Sequence, residues 1–149
     1  MEASSPARLY CLLVGGVLVA AGIIGFFYSA SFAAGDSVTG DDVFGILAVN
    51  GWHNLVHIAI GGLLLIAAGG VARSAAMFVG VLYLLLAALG FIATGGDGIG
   101  FIAENNVLID LVPVNDEDNL LHLILGITGV LAAVATKEGG TAPTPAAGA

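Results

Sequence analysis

Apolar positions fall into four long runs, Leu9–Ser29, Gly51–Ala72, Ala75–Thr94 and Asn119–Thr136, none of which contains Lys, Arg, Asp or Glu. A bilayer core takes about 20 helical residues at about 1.5 Å each, so each run has the length of a span. A helix of a soluble bundle keeps a polar stripe opposite its core face, and these runs keep almost none. The pattern predicts an all-α polytopic membrane protein of four transmembrane helices, because a helix satisfies its own backbone in lipid. The first run is longer than the apolar region of a signal peptide and is read as a span.

The two connections on the other side of runs one and three each hold a short apolar segment, Asp41–Val49 (DDVFGILAV) and Asn106–Val114 (NVLIDLVPV). Too short to span, they are expected to be short helices or turns lying on the membrane interface. Phe44, Ile46 and Leu47 in one, and Val107, Leu108 and Leu111 in the other, would dip into the acyl boundary, with Pro113 breaking the second. The last residues, Glu138–Ala149 (EGGTAPTPAAGA), have nothing to bury and read as a flexible tail.

The chain also aligns on itself at an offset of 65 residues without a gap. Arg8 meets Arg73, Val14–Gly15 meets Val79–Gly80, Gly25–Phe26 meets Gly90–Phe91, and Val49–Asn50 meets Val114–Asn115. Asn54–Leu55 then meets Asn119–Leu120, His57 meets His122, and Gly61 meets Gly126. The rare residues carry the match: both arginines coincide, and two of the three histidines coincide, each with an asparagine three positions earlier. The reading is one four-helix membrane domain over residues 1–137, built from repeats 8–72 and 73–137. Two hairpins inserted the same way are related by a pseudo-twofold axis along the membrane normal.

Composition sharpens this picture. Of 149 residues, 58% are hydrophobic before 23 glycines are added, and 9% are charged. Ordinary soluble domains hold roughly 45–50% apolar residues with glycine included, and about 25% charged residues. With three basic residues and one cysteine, the chain is neither a nucleic-acid binder nor a disulfide scaffold. Arg8, Arg73 and Lys137 fall on one side of a four-span arrangement, which the positive-inside rule makes cytoplasmic, together with both termini. Most acidic residues fall on the opposite side; with a net charge of −8 this suggests a salt-rich setting and a halophilic source.

One polar constellation stands out. Asn54, His57 and Gly61 share a helix face, as do Asn119, His122 and Gly126. Polar side chains in lipid need partners, so these faces are expected to point into the bundle. Gly25 and Gly90 would leave room for the imidazoles, and Phe26 and Phe91 would pack on them. The plain expectation is a hydrogen-bonded latch of Asn54, His57, Asn119 and His122 tying the second and fourth helices, or tying protomers. Sharper alternatives are a metal held by His53 and His57, spaced i and i+4, with His122 or Asp118, and a haem between His57 and His122. Acidic residues at Asp116, Glu117 and Asp118 suit the start of the fourth helix. No ionisable residue lies near a midplane, which argues against a pump or ion-coupled carrier. No nucleophile–base pair or phosphate loop marks an enzyme.

The segments Asn50–Gly61 (NGWHNLVHIAIG), Ala75–Phe91 and Val114–Gly126 (VNDEDNLLHLILG) resemble a prokaryotic family of small four-span membrane proteins. That family is known from haloarchaea and actinobacteria and is catalogued only as a domain of unknown function. The resemblance covers nearly all of the chain except its ends and implies the same four-span fold, with no catalytic residues to carry over. A looser likeness, in size and span count only, is to small subunits associated with quinol oxidases. The expected role is thus structural: a cell-membrane protein binding lipid, copies of itself or a larger complex, with no cofactor. The alternative is a redox-associated subunit holding haem, metal or quinone through His57 and His122.

Overall fold

The computed structural model describes residues 5–96 and 98–137, so the tail read over 138–149 lies outside the described residues. Four helices form where the apolar runs stand: α1 Pro6–Gly25, α2 Gly51–Ala67, α3 Ala72–Thr94 and α4 Asp116–Ala135. Their starts follow local chemistry. Ser5 accepts a hydrogen bond from the Arg8 amide, with Pro6 at the first helical position of α1, where no N–H is needed. Asn50 caps α2 by accepting from the His53 amide. Asn115 and Asp118 form a reciprocal capping box at the head of α4. Helices α1, α3 and α4 are long and apolar enough to cross a membrane, and α2 is an equally apolar helix of 17 residues.

The short apolar connections are not helices. The first holds a β-hairpin, β1 Asp41–Val43 with β2 Leu47–Val49, and the second a three-stranded sheet, β3 Ala103–Glu104, β4 Val107–Leu108 and β5 Val112–Pro113. The physical reason is turn geometry. Phe44 and Gly45 both have positive φ, as do Ile109 and Asp110, the requirement of a type I′ hairpin turn. Once the chain reverses there, the flanking residues pair as strands and satisfy their backbone groups. The registers correspond at the 65-residue offset: Asp42 faces Ala48 and Val43 faces Leu47, while Val107 faces Pro113 and Leu108 faces Val112. Of the side chains expected to dip outward, Phe44 and Ile46 are exposed, whereas Leu47, Val107 and Leu111 are half-buried and Leu108 is buried. Short 3-10 turns at Gly35–Ser37 and Gly100–Ile102 precede the two hairpins, again 65 residues apart.

Helix α1 packs chiefly along α2, and α3 along α4; the two pairs then meet through α1 against α3 and α4 and through α2 against α3. Glycines make the tight crossings. A Cβ on Gly15 would stand 2.9 Å from the Gly61 carbonyl oxygen, and one on Gly61 would stand 2.7 Å from that of Gly15. In the second pair a Cβ on Gly80 would stand 3.0 Å from the Gly126 carbonyl oxygen, and one on Gly126 would meet Leu84. Small residues thus bring backbones into contact, the usual device where apolar burial alone does not drive association. Buried Cys11, Leu18, Leu64, Ala76, Tyr83 and Ala133 fill the space between the pairs. At the end of the bundle that holds Arg8 and Arg73, Thr136 Oγ1 accepts from the Ala7 amide and Arg73 Nε donates to the Ala133 carbonyl.

Candidate functional site

The asparagines of the constellation are structural, and each acts within its own helix pair. Asn54 Nδ2 donates to the Ser29 carbonyl at 2.8 Å, just beyond α1, and Asn119 Nδ2 donates to Thr94 Oγ1 at 3.4 Å, the last residue of α3. Gly25 and Gly90 accommodate these amides, not the imidazoles: a Cβ at either glycine would collide with Oδ1 of Asn54 or Asn119. No amide–imidazole bond is formed among the described residues, so the expected latch between α2 and α4 is not made by these four side chains. Phe91 is exposed, and Phe26 packs against Phe32.

A different pair of asparagines joins the halves. Asn50 Nδ2 donates to the Leu111 carbonyl at 2.7 Å, and Asn115 Nδ2 donates to the Ile46 carbonyl at 2.6 Å. Each therefore caps its own second helix with one end of its amide and holds the opposite hairpin with the other. Positions 46 and 111 correspond at the same 65-residue offset, so the bonds are crossed equivalents.

The histidines converge. His53 and His57 rise from the first two turns of α2, and His122 enters from α4. Their ring centroids lie 4.4 Å apart for His53 and His57, and 6.2 Å apart for His53 and His122. One ring nitrogen from each of the three lies within 4.8 Å of those from the other two. His53 and His122 are buried, and His57 is partly buried. His53 Nδ1 stands 2.8 Å from the Ala48 carbonyl. A carbonyl only accepts, so Nδ1 carries the proton in that bond and Nε2 is the basic nitrogen.

The three rings face a cavity of about 120 Å³, otherwise walled mostly by aliphatic side chains of α2, α3 and the second hairpin, Ile60, Leu86 and Leu108 among them. Tyr83 of α3 completes the wall, its ring 5.2 Å from that of His122. Two polar atoms here are buried without a hydrogen-bond partner, His122 Nδ1 and the Tyr83 hydroxyl. Leaving such an atom unpaired costs about 1–3 kcal/mol. An adjoining cavity of about 170 Å³ brings Asp118 to the same cluster, lined by His57, Asp118 and His122 among apolar residues. Asp118 is buried, and its Oδ2 accepts from the amides of Ala48 at 3.0 Å and Asn115 at 3.2 Å.

Sequence reasoning reached His53, His57 and His122 but missed Tyr83 and the bridging roles of Asn50 and Asn115. A tyrosine in mid-run, far from either interface where such rings usually sit, was the available signal for Tyr83. Trp52 Nε1 donates to the Ala33 carbonyl.

The fold and the site together define a mostly helical chain with membrane-length apolar helices and a histidine-lined cavity near the strand-bearing end. Residues 8–135 match the model of the family described as a domain of unknown function (DUF4383), and the chain belongs to that family. No curated protein and no solved structure matches the chain.

Proposed function

We propose that the chain is a multi-pass protein of the cell membrane that crosses four times and binds a small polar ligand at the seam between its two helix pairs. Four crossings are supported by the length of α2, since 17 residues is the lower end of what spans a bilayer, about 17–25. Two tandem repeats about an axis along the membrane normal are supported by the hairpin registers, the crossed asparagine bonds and the matched glycine crossings. Arg8 and Arg73 at one end favour cytoplasmic termini.

The observation that carries the binding role is the pair of unpartnered buried atoms, His122 Nδ1 and Tyr83 Oη, borne by side chains that line an apolar cavity. A purely structural seam would be more stable with aliphatic residues there. A resident ligand that accepts from or donates to these atoms removes the penalty. Haem is disfavoured by volume, because about 120 Å³ falls below the roughly 300–1,000 Å³ of cofactor sites. Binding rather than turnover is the role proposed, since the site offers imidazoles and a phenol with no adjacent nucleophile.

A thermal-shift screen of the detergent-purified protein against metal ions, small anions and quinone analogues tests this reading. At least one class is expected to raise the wild-type Tm and to leave His122→Leu unmoved. Were no class to stabilise the wild type, or were His122→Leu to respond equally, the reading would fail. The assembly alternative, binding of other copies through the exposed Phe27, Phe44 and Phe101, predicts instead that mutating those residues changes oligomer size.

A further inference from the structure

We infer that His53, His57 and His122 form a three-imidazole site for a single divalent first-row metal ion of the zinc type, with Asp118 as its nearby counter-charge. This rests on the binding role above and names its ligand. In a tetrahedral site with metal–nitrogen bonds of about 2.0–2.1 Å, ligand nitrogens stand about 3.3 Å apart. The three candidate nitrogens already lie within 4.8 Å of one another, so closing on an ion takes a contraction of no more than about 1.5 Å. Imidazole is the ligand type these ions accept readily, and three of them leave a fourth position for a solvent molecule or anion.

Three features beyond the cluster point the same way. His122 lines the cavity, and its Nδ1 is buried without a partner, so the ring has hydrogen-bonding capacity that the protein leaves unused. His53 is already oriented: its Nδ1–H donates to the Ala48 carbonyl, the kind of outer bond that typically fixes a metal-bound histidine. Asp118 lines the adjoining cavity beside His57 and His122, on a carboxylate fixed by two backbone amides. A dication among apolar walls needs such a negative charge close by. The Tyr83 ring lies 5.2 Å from that of His122, and its hydroxyl is also unpartnered.

The test uses the full chain in detergent, stripped with chelator and passed through gel filtration. Zn²⁺ alone is then titrated and counted by elemental analysis, and Co²⁺ is substituted for its visible spectrum. One ion per chain is expected, with the intense d–d bands of a four-coordinate cobalt site. His57→Gln and His122→Gln are each expected to weaken Zn²⁺ binding by at least 100-fold. Asp118→Asn is expected to weaken it 10–100-fold, as loss of an outer carboxylate does. Wild-type protein without stoichiometric ion or tetrahedral cobalt bands overturns the inference. So does Zn²⁺ binding that survives both histidine substitutions. Should those variants fail to elute as folded protein, carbethoxylation of the wild type decides: Zn²⁺ is expected to protect these three histidines, and equal modification with and without it refutes the site. If Zn²⁺ fails while another ligand stabilises the wild type in a His122-dependent way, the metal falls and the binding role stands; if nothing stabilises it, both fall.

Discussion

The two halves of the chain, residues 5–72 and 73–137, make the same framework contacts and differ where the cavity lies. In both, a glycine late in the first helix receives the amide of an asparagine in the second, a glycine crossing holds the pair, and a turn with two positive-φ residues closes the β-hairpin. The differences sit at corresponding positions: His53 against Asp118, Leu18 against Tyr83, and Ala48 against Pro113. At the first of these, one half contributes an imidazole and the other a carboxylate to the same buried cluster. At the second, a leucine that fills core corresponds to a tyrosine whose side chain lines the cavity. Shared positions build the scaffold and supply His57 and His122; divergent positions add His53, Asp118 and Tyr83 to them.

The comparison breaks most sharply at the glycines. Gly25→Val and Gly90→Val each force a branched side chain into an asparagine amide, and each is expected to cost about 3 kcal/mol or more. Unfolding in detergent should show two losses of similar size; a mild effect in either half would mean the two amides are not held alike. The asparagines themselves should separate the halves. Asn54→Ala loses a 2.8 Å bond to a carbonyl, Asn119→Ala only a 3.4 Å contact with a hydroxyl. Losses of about 2 and about 1 kcal/mol are expected, in that order, within the range of buried membrane hydrogen bonds. Denaturant titration of the two variants side by side reads the difference, and a reversed order would contradict the geometry.

Asp118→Ala removes an acceptor from the Ala48 and Asn115 amides and half of a capping box. A loss of about 1–2 kcal/mol is expected. Urea titration checks it, and an unchanged midpoint would show that water replaces the carboxylate. The smallest effect has the opposite sign. Tyr83→Phe deletes an unpartnered buried hydroxyl and is expected to stabilise the ligand-free protein by up to about 1 kcal/mol. A lower Tm would mean that the hydroxyl already has a partner.

Much of the helical frame was legible because lipid imposes a coarse rule: the four apolar runs end within a few residues of the four helices. The offset of Asn54 and His57 on Asn119 and His122 was legible too, since rare residues repeat at one spacing. What that spacing did not reveal is which neighbour each side chain meets. Asparagine and histidine on one helix face read as one group, yet Asn54 turns toward α1 while His57 turns toward the seam. That separation depends on where Gly25 lies in three dimensions. The hairpins escaped because Ile109 and Asp110 hold positive φ, a conformation that local preference does not favour for isoleucine, so the packing around it decides. Two strands of two or three residues also leave too little alternation to detect.

The crossed bonds of Asn50 and Asn115 bear on how such a chain is made. While only the first hairpin has emerged from the ribosome, the Asn50 carboxamide and the Ile46 carbonyl face water, their acceptor and donor still unsynthesised. Arrival of the second hairpin swaps both hydrations for protein contacts in one docking event. A chain stopped before residue 111 leaves the Asn50 carboxamide without its acceptor and the Ile46 carbonyl without its donor.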